Sequence, residues 1–123
     1  MTAYDVPLNV YRNRAWAQTF VLQAAAGSPI DVSADELRLI VLPTSPVGLR
    51  GSPCCAAKPV LVNDYPQVSV NTVFFNTPDN VTGTLPCGEL SWQFLRRSPS
   101  GADSSIVVCA GPLTVFDSPA FPP

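Results

Sequence analysis

Four cysteines are the side chains of this 123-residue sequence that most directly suggest chemistry: Cys54, Cys55, Cys87 and Cys109. The sequence has no histidine, which excludes Ser-His-Asp and Cys-His catalysis as well as imidazole metal sites. No Cys-x-x-Cys pair is present, so the spacing also argues against zinc. Two interpretations stay open: free thiols of a protein made in a reducing cytosol, and disulfides formed later.

The spacing of Cys87 and Cys109 argues against a disulfide between them. They flank a predicted hairpin asymmetrically. With Trp92 opposite Cys109, Cys87 lies about five residues further along the ladder, roughly 17 Å, too far to bond. We expect Cys109 to be a buried free thiol beside Trp92, or to reach across to a second sheet. A disulfide between adjacent Cys54 and Cys55 would be strained. One or both are left to pair with Cys87, Cys109 or another chain, which makes them the candidate inter-subunit thiols.

The nine acidic residues form no catalytic arrangement. Asp35 and Glu36 are the only adjacent pair, and neighbours on a strand point to opposite faces. They therefore cannot act together as general acid and base on one substrate. The glycines stand in turn contexts and form no phosphate-binding loop. We expect no enzymatic activity, no cofactor and no metal.

The composition suggests a surface that is partly covered by partners. Charged residues make up 13% of the chain against about 25% in typical globular proteins, while hydrophobic residues make up 46%. A simpler reading is a small β domain rich in Thr, Ser and Pro. The net charge of −2 and the lack of a large basic cluster argue against nucleic-acid binding. No apolar run approaches the roughly 18 residues of a membrane span, so we expect no membrane partner.

The elements that must position these residues are short and extended. Fourteen prolines and seven glycines divide the chain and disfavour long helices. Residues 44–58 are a long Cys-bearing loop, and residues 116–123 cannot continue a sheet because their prolines remove ladder donors. Period-two alternation and β-branched residues predict strands over residues 8–14, 15–23, 30–32, 36–43, 60–62, 67–76 and 81–85, followed by the two strands of a hairpin over 88–115.

Turn signals every 8 to 12 residues are typical of an immunoglobulin-like β-sandwich. The sequence therefore predicts an all-β fold, an antiparallel sandwich of about seven short strands with extended N- and C-terminal arms. We expect one domain over residues 1–123, with its core at about 8–116 and a proline-rich arm at 117–123.

Five short motifs along residues 8–116 resemble the small immunoglobulin-like modules of tailed-phage virion proteins, notably the N-terminal domains of baseplate and tail-fibre-attachment proteins. They are, in order, Tyr-Arg-Asn-Arg at 11–14, Gly-Ser-Pro-Ile-Asp-Val at 27–32, the apolar strand 36–43, Gly-Glu-Leu-Ser-Trp at 88–92 and Gly-Pro-Leu-Thr-Val at 111–115.

That resemblance implies a non-enzymatic structural role in the virion, made in the host cytoplasm, with no catalytic residues to transfer. The implied partners are other virion proteins and copies of the chain itself, in a ring or trimer. The candidate docking residues are Arg96, Arg97, Phe116 and Phe121. The arms 1–7 and 116–123 are candidates for threading onto neighbours.

A second hypothesis is a surface-exposed module that binds a host glycan or decorates and stabilises the capsid. The candidate platform aromatics for glycan binding are Trp16, Tyr65 and Phe75, because aromatic faces are suited to contacts with flat apolar surfaces.

Overall fold

Apolar side chains recur at every second residue of the longer strands and face a shared core. The computed structural model describes residues 4–43, 59–98 and 105–119. Within these residues nine strands and one short helix form, in chain order β1 (Tyr4–Asp5), β2 (Leu8–Tyr11), β3 (Trp16–Val21), β4 (Glu36–Pro43), β5 (Leu61–Asn63), β6 (Gln67–Ser69), β7 (Thr72–Thr77), α1 (Asp79–Thr82), β8 (Gly88–Arg97) and β9 (Ser105–Phe116).

The strands form two sheets that pack face to face. A six-stranded sheet has the order β1-β9-β8-β4-β5, with β2 pairing to β9 beyond β1, and a three-stranded sheet has the order β3-β7-β6. Leu39, Trp92 and Phe94 of the first sheet and Val73 and Phe75 of the second are fully buried in one hydrophobic cluster. The all-β sandwich prediction is confirmed.

The six-stranded sheet is mixed, so the expectation of purely antiparallel pairing is wrong. Strands β1 and β2 both run parallel to β9, with Tyr4 opposite Cys109 and Leu8 opposite Leu113. Without them, β9 would leave a row of N–H and C=O groups open at the edge of the sheet. From residue 4 onward the predicted N-terminal arm is thus part of its own sheet.

The crossing between β1 and β2 is held by Val6. Its N–H donates to the Ala110 carbonyl at 2.9 Å, and its carbonyl accepts the Trp92 indole N–H at 2.8 Å. A Cβ on Gly111 would lie 2.1 Å from the Val6 oxygen. Glycine is therefore required at 111, where one backbone lies directly against another.

The predicted hairpin over 88–115 is confirmed, but its register differs from the expected one. Trp92 lies opposite Gly111 and Phe94 opposite Cys109, and the register shifts between Phe94 and Leu95. The β9 strand carries one extra residue there, Val108, a β-bulge that alternation alone does not reveal.

Two predicted strands take a different form. Residues 67–76 form two strands, β6 and β7, joined by a turn in which Val70 has a φ of 54°. Residues 81–85 do not form a strand, because the chain after Pro78 begins the short helix α1. Pro78 is the N-cap residue, with an extended backbone (φ −69°, ψ 161°), and its carbonyl accepts the N–H groups of Val81 and Thr82.

Residues 30–32 and Phe116 also differ from expectation. No strand forms over 30–32, although Val32 is fully buried and its N–H donates to the Val70 carbonyl at 2.8 Å. Phe116 is the last residue of β9, opposite Tyr11, so the sheet continues one residue further than expected. The prolines that end it begin only at 119.

We expect Gly111→Ala to destabilise the attachment of the N-terminal segment. A methyl group at 111 would collide with the Val6 backbone, and overpacking of this kind costs about 1–3 kcal/mol. Chemical denaturation should show this loss in the free energy of unfolding, and hydrogen exchange should show faster exchange of the Val6 amide. The control Glu89→Ala, at an exposed site on β8, should change stability by less than about 0.5 kcal/mol. Equal stability of the two variants would contradict the close approach at Gly111.

Candidate functional site

The three-stranded sheet carries no charged side chain. Strands β3, β6 and β7 contain no Asp, Glu, Lys or Arg, and we call them the uncharged sheet. Its outward-facing residues include the exposed Ala17, Thr19 and Val21 of β3 and the exposed Asn76 of β7. Val21 is 58% exposed. This face therefore exposes only apolar and neutral polar groups of its three strands, and no charged group of these strands must be desolvated when the face is covered.

A shallow depression of about 310 Å³ lies beside the uncharged sheet, at its outward face. It is lined by Tyr65, Gln67, Phe74, Asn76 and Pro78, and we call these five residues the aromatic shelf. Two aromatic rings and a proline supply flat apolar surface, and two side-chain amides supply hydrogen-bond donors and acceptors.

A buried amide positions the loop that bears Tyr65. Asn63 is fully buried on β5, and its Nδ2 donates to the Thr77 hydroxyl of β7 at 3.0 Å. Its Oδ1 accepts the Tyr65 backbone N–H at 3.2 Å. One side chain thus joins the two sheets and holds the start of the aromatic shelf.

Two of the three aromatics assigned to a binding platform are core residues. Trp16 is 6% exposed and Phe75 is fully buried, so neither can present a ring to a ligand. Phe75 packs against Phe94 with ring centroids 5.5 Å apart. Tyr65 alone is exposed as expected, at 54%.

Phe74, in contrast, lies in the aromatic shelf, whereas strict alternation continued from Val68, which packs against the core, would turn it inward. The turn at Val70 resets the alternation, so that Val73 and Phe75 point to the core instead. The Val70-Asn71 dipeptide between two apolar runs was the signal for that turn, since asparagine is common in turns, although Val70 is the residue that takes the positive φ.

Arg96 and Arg97, proposed as docking residues, form ion pairs at the end of β8. Arg96 binds Asp35 and Arg97 binds Glu36, so the two adjacent carboxylates bind different arginines. The Arg96 side chain is 26% exposed and the Arg97 side chain 43%. Any docking contact there would compete with these pairs.

Phe116 stacks on Tyr11 with ring centroids 5.2 Å apart, and both rings remain exposed to solvent. The other candidate docking residue, Phe121, and the candidate inter-subunit thiols Cys54 and Cys55 lie outside the described residues.

The first part of the C-terminal arm is held on the domain itself. Asn13 Nδ2 donates to the Ser118 carbonyl at 2.7 Å, and Arg14 Nη1 donates to the Pro119 carbonyl at 3.0 Å. The arm is therefore anchored as far as Pro119, beside the turn that follows β2.

Cys87 and Cys109 are both free thiols, in line with the sequence-based argument against their pairing. Cys87 is exposed, whereas Cys109 is buried opposite Phe94 and borders an apolar groove of about 210 Å³ between β3 and β9. Burial raises the pKa of the Cys109 thiol.

No set of three or more acidic or cysteine side chains in the described ranges comes together as a metal site. Across the same ranges, no helix has the length and apolar character to cross a bilayer. Comparison with protein-family models and with curated proteins finds no match to this chain.

We expect Thr77→Val to lower stability and loosen the Tyr65 loop. It would leave the buried Asn63 amide without its acceptor, which costs about 1–3 kcal/mol. Thr77→Ser keeps the hydroxyl and loses one methyl group, worth about 0.8 kcal/mol. Denaturant unfolding measures both, and hydrogen exchange of the Tyr65 amide reports on the loop. A serine variant as unstable as the valine variant would argue against the hydrogen bond.

We expect alkylating reagents to modify Cys87 much faster than Cys109 in the folded chain. Cys109 is buried and its pKa is raised, so its reactive thiolate forms only as the pH rises past the ordinary thiol value of about 8.5. As the pH rises, the thiol loses its proton at a lower pH in the unfolded chain than in the folded one. The contribution of Cys109 to the free energy of unfolding is therefore fully present below about pH 8.5 and declines above it. Timed labelling with peptide mass mapping, in native buffer and in denaturant, measures both rates. Equal native rates would contradict the burial.

Proposed function

We propose that this chain is a non-enzymatic structural module of a tailed-phage virion, and that it docks on its neighbours through the uncharged sheet. The observation that carries the proposal is the absence of charge from all three strands of that sheet. The centres of protein interfaces are depleted in charged residues, because each buried charge must be desolvated.

The sandwich is of immunoglobulin type in this proposal, and the strand order supports it. The orders β3-β7-β6 and β9-β8-β4-β5 correspond to a B-E-D sheet facing a G-F-C-C′ sheet. The chain departs from antibody domains in its buried tryptophan, which lies on β8, the F strand of that scheme. Cys87 and Cys109 also form no disulfide between the sheets.

The virion assignment rests on the resemblance of the sequence motifs to phage modules. Two motif glycines have physical reasons to be glycine. Gly27 has a φ of 88°, in the left-handed region, and Gly111 lies against the Val6 backbone. These glycines support the turn and the strand crossing that such a module needs.

The proposed assembly uses the arms differently from the sequence-based hypothesis. Since residues 4–11 pair with β9, the N-terminal arm is committed to its own sheet over that stretch. Threading onto neighbours then falls to the C-terminal residues beyond Pro119. The proposed partners remain other virion proteins and copies of the chain.

The alternative is a module that binds a host glycan, and the aromatic shelf is the observation that favours it. Tyr65 and Phe74 offer ring faces beside the amides of Gln67 and Asn76, a combination suited to sugar rings and hydroxyl groups. Decoration of a capsid is compatible with the same surface.

We expect Val21→Lys to reduce incorporation of the chain into particles. A lysine at this exposed position of a docked face would be buried without a partner, and a loss of about 1.4 kcal/mol lowers affinity tenfold. The matched control is Val62→Lys, on the six-stranded sheet, where the valine is 45% exposed against 58% at Val21. Fractionation of lysates into particles and free protein gives the incorporated share of each variant.

Equal incorporation of the two lysine variants would exclude the uncharged sheet as the docking face. A wild-type chain found only as free protein, never with particles, would exclude the virion role itself.

A further inference from the structure

We propose that the aromatic shelf binds the proline-rich C-terminal segment of a second copy of this chain, residues 119–123. The inference rests on the proposed function, in which copies of the chain contact one another. It adds to that function by naming the two surfaces that form one such contact. It is an intermolecular contact between two different surfaces, the shelf on one copy and the tail on the next.

The chemistry of the aromatic shelf suits an extended proline-rich segment. Such segments favour the polyproline II helix, which has no internal hydrogen bonds and docks in grooves lined by aromatic side chains. Tyr65, Phe74 and Pro78 provide flat apolar faces for prolyl rings. Tyr65 is 54% exposed, so its ring is available without rearrangement of the core.

The shelf also matches the hydrogen-bonding needs of such a ligand. A proline-rich segment has few N–H groups, so its carbonyls need donors from the partner. Gln67 and Asn76 each carry a side-chain NH₂ at the shelf. Among the described residues, no charged side chain lines the depression, so an uncharged ligand meets no unpaired ion from them.

The chain contains a segment of this kind. Residues 118–123 read Ser-Pro-Ala-Phe-Pro-Pro, with Pro119 and Pro122 in the P-x-x-P spacing and no charged side chain. Phe121 adds one large apolar side chain that an aromatic surface can bind. The absence of charged side chains in this segment agrees with their absence from the depression.

The anchor at Pro119 fixes where the tail leaves its own domain. Arg14 Nη1 donates to the Pro119 carbonyl, beside the turn that follows β2. The proposed function requires contacts between copies, so we assign the tail to the shelf of a second copy. Binding to the chain's own shelf is a separate outcome of the test below.

A contact of this type can link copies into a closed assembly or into an open filament. Because tail and shelf are different surfaces of one chain, the contact is heterologous unless two chains exchange tails. Reciprocal exchange gives a two-fold dimer, and head-to-tail exchange gives a ring where the rotation closes. Both outcomes bury the tail without enlarging the domain.

The test compares self-association of the full chain and three variants by sedimentation velocity over a roughly hundredfold concentration range. Tyr65→Ala removes a shelf ring and Phe121→Ala a tail ring. Ile106→Ala is the control, a large apolar side chain that is 44% exposed near the end of β9 opposite to the tail. Circular dichroism and thermal melts check that all three variants fold. A labelled peptide of residues 117–123, blocked at both ends, is titrated into each protein in parallel.

We expect the self-association constants of Tyr65→Ala and Phe121→Ala to fall at least about tenfold and that of Ile106→Ala to stay unchanged. The peptide should dissociate wild-type oligomers and bind Tyr65→Ala at least about tenfold more weakly. A control peptide with alanine at both P-x-x-P prolines should lose binding.

Self-association unchanged in both the Tyr65 and Phe121 variants overturns the inference, as does a monomeric wild type that binds no peptide. If the proteins are monomers and only Phe121→Ala binds the peptide, the wild-type shelf is already occupied by the tail of the same chain. That result would overturn the assignment to a second copy. Glycan-array binding abolished by Tyr65→Ala, with self-association intact, makes the shelf a sugar platform instead. Particle fractionation tests the proposed function separately. If the wild-type chain is found in particles while the self-association of both variants is unchanged, only this inference is overturned.

Discussion

The contact on which the sandwich depends is the insertion of Phe20, from the three-stranded sheet, among the aromatic rings of the six-stranded sheet. Its ring centroid lies 4.4 Å from Phe94 and 5.7 Å from Trp92, and 6.1 Å from Phe75 of its own sheet. Each sheet is apolar on its inner face and is stable only when that face is covered. Aromatic pairs of this kind contribute about 0.5–1.5 kcal/mol each beyond the area they bury.

Trp92 extends this core to the edge of the sheet. Its ring is fully buried against Phe20, and its indole N–H must find an acceptor there. The Val6 carbonyl is that acceptor, and Gly111 leaves room for it. Core packing, the N-terminal strands and the covered edge of β9 are thus linked through one side chain. The same link keeps the N-terminal segment on its own domain, so the proposal assigns the contact between copies to the C-terminal residues beyond Pro119.

The two sheets differ in charge. Ion pairs lie on the six-stranded sheet, whereas the proposed docking face lies on the uncharged sheet. In the described residues the ion pairs of Arg96 with Asp35 and of Arg97 with Glu36 lie at one end of the six-stranded sheet. The uncharged sheet has its inner face in the core and leaves its outer face to neutral groups. Such a face loses little on desolvation, which is why we assign the contacts between copies to it.

The sequence predicts much of the core, because side chains alternate between the two faces of a strand with a period of two. The inward faces of β3, β4 and β8 follow from Trp16, Leu39 and Trp92 without reference to any other strand. The β-sandwich class follows as well, since prolines and glycines divide the chain into pieces too short for helices. The prediction that Cys87 and Cys109 do not pair held even though the register was wrong, because the observed register, with Cys109 opposite Phe94, places them further apart.

The tertiary structure alone decided three things: the parallel pairing of β1 and β2 with β9, the inward turn of Phe75 in place of Phe74, and the meeting of Tyr65 with Pro78. Each depends on partners distant in sequence or on a local break in alternation. A parallel pair needs the whole intervening chain as its connection, and the turn at Val70 shifts every later residue to the opposite face. The sequence determined which side chains are apolar and at what period they recur. Only the packing of one sheet on the other decided which of them remain at the surface.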